Sequence, residues 1–233
     1  WPLKPKVILT ATGCIYDEPF KAWAAEKVDN GSVLLYAQHG GHYGTARLSS
    51  GEDHERNISD RFLSWGWHGE GVDPLPSPKL NAIKKSERNK TPKKCILVQN
   101  VTPRYSYVMF SSVVSSMQID YFNQQFKFVE MLLPRIKNNL VVRLFPNDYG
   151  WKQRERWSDK FPHVTLDDSS SFSHQINDAK IVVATYNATT FLETFTANIP
   201  TLIFWDSEHW QCNDDSKYYF EVLLLAGILH FSP

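Results

Sequence analysis

Short apolar runs, each followed by a polar loop and a stretch of helical periodicity, set the pattern of this chain. Residues 181–184 are apolar and β-branched at their start, with the length of a buried strand. The polar turn 186–190 follows. Phe191, Leu192 and Phe195 then share one face of a short helix over 191–197, which Pro200 stops, and 201–205 form a second apolar run. Strand, polar loop, helix, strand is the unit from which parallel sheets are built. Ligands of such sheets sit beyond the carboxyl ends of the strands. Asn187, Thr189, Thr190 and Glu193 would stand there, at a helix N-terminus suited to anions.

The same alternation runs along the whole chain. Strands are expected at 6–10, 33–37, 61–67, 95–98, 140–144 and 164–166. Asp17, Glu18 and Pro19 open a helix carrying Phe20, Trp23, Ala24 and Val28, and Asn30-Gly31 closes it. A long amphipathic helix is expected over 115–138, with Phe122, Phe126, Val129, Leu132 and Leu133 pointing one way. Shorter helices follow at 151–159, 172–179 and 217–225, the last with Gly227 as its C-cap. Residues 45–60 read as a polar segment of mixed charge. Residues 69–94 hold four prolines and the basic cluster Lys84, Lys85, Arg88, Lys90, Lys93 and Lys94, and read as a connector rather than a phosphate-binding patch. Alternation on both sides of it predicts two α/β domains, residues 1–92 and 93–233, the first truncated at its front.

Composition narrows the function classes. In 233 residues, 25 Lys and Arg balance 25 Asp and Glu, so no broad basic field recommends nucleic acid. Hydrophobic residues at 42% support a real core, and no apolar run has the length of a membrane span. Cys14, Cys95 and Cys212 are too scattered for a zinc site or a disulfide framework. No Gly-x-Gly-x-x-Gly, P-loop or Gly-x-Ser-x-Gly element is present, against dehydrogenases, P-loop kinases and serine hydrolases.

The sharpest local signal is Gln38-His39-Gly40-Gly41-His42, just past a strand end. Its glycines let backbone amides approach a ligand closely, and a histidine there can act as a general base near neutral pH. His39 bonded to a backbone carbonyl in a tight turn is the structural alternative. His39 and His42 stand three apart without a third ligand at diagnostic spacing, so no metal is expected. Arg143 at a strand end, followed by Pro146 and Asn147, suits phosphate or carboxylate, and Arg104 has the same placement after its strand. Glu193 can bind sugar hydroxyls or close a capping box with Thr190. Asp17 and Glu18 can supply a carboxylate base or nucleophile, or cap a helix.

The Gln38-His39-Gly40-Gly41-His42-Tyr43-Gly44 motif, the helix before it from Phe20 to Lys27, the 58–67 segment, and the closing residues 187–194 and 199–205 resemble a family of surface-carbohydrate transferases. More distantly the chain is similar to GT-B glycosyltransferases, including Kdo and polyol-phosphate transferases of bacterial envelopes. The resemblance implies two Rossmann-like domains of GT-B type with a cleft between them, and metal-independent transfer from a nucleotide-sugar donor to a glycan or glycolipid acceptor. It implies no cofactor and no nucleic-acid partner. It also implies a bacterial, cytoplasmic setting, with peripheral association at the inner face of the membrane left open. It puts Arg143, Asn147, Asn187, Thr189, Thr190, Glu193 and Arg104 on the donor, and Gln38, Gly40, Gly41 and His42 at the reaction centre. His39 would be the base or a hydrogen-bond donor to the leaving phosphate, with Asp17 or Glu18 the second choice for a carboxylate role.

Overall fold

The computed structural model describes residues 1–83, 91–105, 110–167 and 172–233. Lys84, Lys85, Arg88 and Lys90 of the basic cluster lie outside the described residues. The elements run β1 (Val7–Thr10), α1 (Gly13–Tyr16), α2 (Glu18–Asp29), β2 (Val33–Ala37), α3 (Ser50–Ile58), β3 (Arg61–Ser64), β4 (Val72–Pro74) and α4 (Pro78–Asn81) in the first part. They continue with β5 (Lys94–Val98), α5 (Gln118–Met131), α6 (Pro134–Lys137), β6 (Leu140–Arg143), α7 (Gln153–Lys160), β7 (Thr165–Asp167), α8 (Phe172–Gln175), β8 (Ala179–Ala184), α9 (Thr189–Thr196), β9 (Thr201–Phe204), α10 (Asp214–Leu225) and β10 (Leu229–His230). No described helix is long and apolar enough to cross a membrane.

Two parallel sheets result. The first is four-stranded in sequential order β1-β2-β3-β4, and the second is six-stranded in the order β10-β9-β8-β5-β6-β7. Numbered from its own first strand, the second reads 3-2-1-4-5-6, the order of a doubly wound sheet. Its switch point lies between β5 and β8. There the chain leaves β5 for one side of the sheet and returns through β8 to the other, opening a crevice beyond the two carboxyl ends.

β5 is central, and its side chains divide between two buried layers. Cys95 and Leu97 pack with Val129 of α5 and Trp157 of α7 on one face. Ile96 and Val98 pack with Ile176, Ala197 and Ile199 on the other. A strand buried on both faces reads as an unbroken apolar run, which is why it is plain in the sequence. The first sheet is covered differently. Ile8 and Leu34 pack with Ala24 of α2, and Tyr36, Phe62 and Val72 pack with Cys14 and Tyr43, while Val7 and Leu9 stay more than half exposed.

Several elements depart from expectation for identifiable reasons. The long helix over 115–138 is broken. α5 ends at Met131, Leu132 and Leu133 are extended (ψ 141° and 146°), and Pro134 opens α6. A proline forces the residue before it out of the helical region. The segment 45–60 contains α3, and within 69–94 β4 joins the first sheet and α4 lies against α9. Gly66, at φ +98°, ends the β3 region short of Trp67. Gly227 takes φ +67° just after α10, as a helix C-terminus asks of glycine.

Candidate active site at the strand ends

The loops beyond β2 and β8 meet. The Gly41 N–H donates to Thr189 Oγ1 at 3.1 Å, and Asn187 Nδ2 donates to Thr45 Oγ1 at 3.1 Å. A Cβ on Gly41 would lie 2.7 Å from the backbone of Ala188 and Thr189, so only glycine lets this loop rest on the start of α9. Below the contact the two parts of the chain are laced by backbone bonds, Arg47 N to Gln211 O and Asn213 N to Thr45 O, both 2.9 Å. The polar segment after the glycine motif is therefore a seam.

α9 begins without a side-chain cap, its N-cap position being Ala188. No Thr190–Glu193 capping box forms. Thr190 Oγ1 bonds Tyr186 Oη at 2.5 Å, and Glu193 pairs with Lys79 of α4 at 2.6 Å. Hydrogen bonds tie the strand ends at the switch point to α5. Tyr121 Oη lies 2.5 Å from Thr185 Oγ1 and accepts from Asn100 N, while Thr185 Oγ1 donates to Val98 O. Asn187 is 2% exposed, and its Oδ1 has no hydrogen-bond partner among the described residues. A buried acceptor left open in this way suits a ligand hydroxyl or a water.

Arg143 closes β6 at the same edge. It is buried, donates through Nη1 to Gln175 Oε1 at 2.7 Å and lies over the Phe172 ring at 5.4 Å. Gln175 Nε2 in turn donates to Asp167 Oδ2. Burial above all raises the pKa of the Tyr186 hydroxyl, with Glu193 adding to the shift and Arg143 opposing it.

Other expected residues have structural employment. Gln38 is a brace. Its Oε1 accepts from Trp65 N (2.7 Å) and Trp67 Nε1 (2.9 Å), and its Nε2 donates to Gly40 O (2.7 Å). With its amide so engaged, it shapes the glycine loop from behind. Asp17 caps α2, accepting from Phe20 N at 2.9 Å, and Glu18 pairs with Lys21 at 2.5 Å on the surface. Arg104 donates to Gly150 O at 3.4 Å and covers the Trp151 ring, while Asn147 bonds Tyr149 Oη at 3.4 Å, both exposed. A Cβ on Gly40 would meet the His42 ring at 3.5 Å and the Tyr43 ring at 3.6 Å, ordinary contacts, so the close approach that demands glycine is made at Gly41 alone of the two.

His39 is exposed at the rim, with its ring nitrogens 3.2 and 3.3 Å from Tyr43 Oη. Burial of part of the ring lowers its pKa, and a bond to the Ala11 carbonyl pulls the other way. His42 is pushed down to about 4 by burial and by His39, so it is neutral at physiological pH. Tyr43 donates to Glu55 Oε1 at 3.1 Å, and Gly44 N donates to Glu52 Oε2 at 2.9 Å. These two buried acids of α3 were hidden in a segment that looks solvated. The Ser49-x-x-Glu52 spacing is the one signal that marks a helix start there, and Ser49 Oγ does accept from Glu52 N (3.4 Å).

Among the described residues, no group of three or more His, Cys, Asp or Glu is placed to hold a metal ion. A groove of about 630 Å³ does lie elsewhere, lined by Lys93, Arg135, Ile136, Lys180, Ile181 and Pro200. Those residues stand at the amino ends of the strands, opposite Arg143 and Asn187.

The chain matches the family described as LIC12162 family transferase over residues 1–233. Among solved structures it is similar to TarM, with a TM-score of 0.53 at 12% identity, covering 95% of this chain and 48% of that one. The chain thus spans about half the length of that protein. No curated protein matches it.

Proposed function

We infer that this chain, which belongs to the LIC12162 family of transferases, takes part in glycosyl transfer at the crevice where the β2 and β8 loops meet. The family's description as transferases supports group transfer, and the likeness to TarM supports the fold. The single observation that carries the site is the direct bond from Gly41 to Thr189. It joins the glycine loop of one parallel sheet to the first helical turn beyond the switch point of the other.

In this reading the two sheets are the two Rossmann-like halves of a GT-B arrangement, residues 1–92 and 93–233, with the first incomplete. The donor is a nucleotide sugar, and the acceptor is a glycan or glycolipid of the bacterial cell envelope, a polysaccharide or lipopolysaccharide, reached from the cytoplasmic face of the membrane. Arg143 and the uncapped first turn of α9 take the phosphates, since both offer hydrogen-bond donors to an anion. Asn187 Oδ1 takes a hydroxyl of the donor. His39 accepts the proton of the attacking acceptor hydroxyl. Transfer proceeds without a metal, the charge developing on the leaving phosphate being met by these fixed donors.

The test is calorimetry with CMP, UDP and CDP, then turnover with the matching nucleotide sugars and with CDP-glycerol. One nucleotide is expected to bind and one activated donor to turn over. Arg143→Ala is expected to lose on the order of 100-fold in rate, as when one oxyanion donor is removed. A folded Arg143→Ala protein with full activity would remove Arg143 from the site. Binding without turnover of any donor would make the chain a nucleotide-binding module instead.

A further inference from the structure

Behind the glycine loop lies a chain of three ionisable groups that transfer by itself does not explain. Glu55 is 1% exposed, on the inner face of α3. Its Oε1 is 3.1 Å from Tyr43 Oη, and Tyr43 Oη is 3.2 Å from His39 Nδ1. Glu55 Oε2 faces the Tyr36 hydroxyl, which favours its charged form without reaching full hydrogen-bond geometry. A buried carboxylate held by tyrosine hydroxyls rather than a cation is costly, so its retention asks for a role.

We propose that Tyr43 and Glu55 are positioning residues for His39, and that the three share one mobile proton along the path Glu55–Tyr43–His39. In one state Glu55 is a carboxylic acid donating to the Tyr43 oxygen, and the Tyr43 O–H donates to a neutral imidazole. In the other the Tyr43 O–H donates to the Glu55 carboxylate, and the imidazolium N–H donates to the Tyr43 oxygen. Between them the Glu55 O–H bond breaks as a new Tyr43 O–H forms, while the former Tyr43 O–H breaks as an N–H forms on His39. Tyr43 ends as a phenol again, no electron changes hands, and every donor has an acceptor in both states. Two protons cannot be held as well as one, because both outer groups would then point hydrogens at Tyr43.

The surroundings favour such sharing. Burial above all raises Glu55 to about 7 and lowers His39, so the carboxyl no longer holds its proton more weakly than the imidazole. Several other groups face the pair. Glu52 on the same helix, itself paired with Arg56, raises Glu55 further, while Tyr36 on β2 pulls it down. Cys14 of α1, next to Lys21 of α2, senses the Glu55 charge, and His42 senses His39. Lys21 lies towards Cys14, so among the described residues no cation compensates Glu55 in the way Arg56 compensates Glu52. The consequence for catalysis rests on the transferase reading above. A proton taken by His39 from an acceptor hydroxyl would be handed inward to Glu55, returning the imidazole to its neutral form without a charge at the rim.

The chain itself can be tested without a substrate. The ring nitrogen shifts of His39 are followed by nuclear magnetic resonance from pH 4 to 10 in protein labelled with ¹⁵N-histidine, the signal being assigned by its loss in His39→Ala. In the wild type the His39 signal is expected to move in two steps more than about one pH unit apart, as for any strongly coupled pair. In Tyr43→Phe and in Glu55→Gln it is expected to move in one. A single step in the wild type overturns the proposal even if neither variant folds. Two steps that persist in both variants overturn it too, since the coupling would then come from His42. A turnover failure would sink the transferase reading and leave this result standing.

Discussion

Trp157→Ala is expected to cost the protein about 3–5 kcal/mol, the range for truncating a large aromatic in a packed core. Trp157 is fully buried on α7, edge-on to Phe126 with centroids 4.8 Å apart. Its Nε1 donates to Gln99 Oε1 at 2.6 Å, Gln99 Nε2 donates to Gln153 Oε1 at 2.5 Å, and Gln153 Nε2 donates to Phe145 O at 2.7 Å. This buried chain ties the exits of β5 and β6 together, beside Arg143, whose carbonyl accepts from Gln99 N at 3.2 Å. Alanine leaves both a cavity and an orphaned Gln99 carbonyl, and each adds to the loss. Trp157→Phe keeps most of the packing and should lose only about 1–3 kcal/mol, the cost of the unsatisfied buried acceptor. Urea denaturation should show a lower midpoint at unchanged slope for both. A Trp157→Ala loss below about 1 kcal/mol would mean that the chain does not hold these strand ends.

Glu55→Gln is expected to stabilise the protein at alkaline pH and to leave it nearly unchanged in acid. Burial raises the Glu55 pKa from 4.5 to about 7 in the folded protein. A group that binds its proton more tightly when folded contributes fully below pH 4.5. That contribution falls as pH rises between 4.5 and 7 and is gone above it. At about 1.4 kcal/mol per pH unit, the wild type forgoes on the order of 3 kcal/mol at pH 8 relative to its acid form. Glutamine keeps the acceptor for Tyr43 and has no charge to bury. The difference between the two proteins should therefore open from near zero at pH 4.5 and level off above pH 7, as read by denaturation at each pH. His42 works in the opposite direction in both proteins. Its pKa is depressed to about 4, so its contribution is lost as pH falls from 6.5, and it cancels in the comparison. A pH-independent difference would show that Glu55 is not protonated by burial.

The sequence displayed the second sheet more fully than the first, for a physical reason. β5, β6, β8 and β9 are buried on both faces, and only an unbroken apolar run serves there, so the letters show them directly. β4 is three residues ending in Pro74, and β10 is two residues after Gly227, too short for any period to show. The glycine motif was legible because glycine is demanded by backbone approach, and Gly41 meets that demand against Thr189. The uses of its neighbours were not. Gln38 looks like a ligand-binding amide and is consumed by Trp65, Trp67 and Gly40. Asp17 looked equally suited to chemistry and to capping, and it caps. Glu55 looked like surface charge because a helix turned inward by two acids carries no apolar stripe. Only the partner, Tyr43, shows why the acid is inside.

The proposed chemistry converges on one place, the strand ends where Gly41 meets Thr189. A crystal structure with the tightest-binding nucleoside diphosphate tests it most directly. The expected result puts the phosphates against Arg143 and the first turn of α9, within hydrogen-bond distance of both, with Asn187 Oδ1 accepting from the ligand. Density for the nucleotide in the groove of Lys93, Arg135 and Lys180, at the other end of the strands, would contradict it.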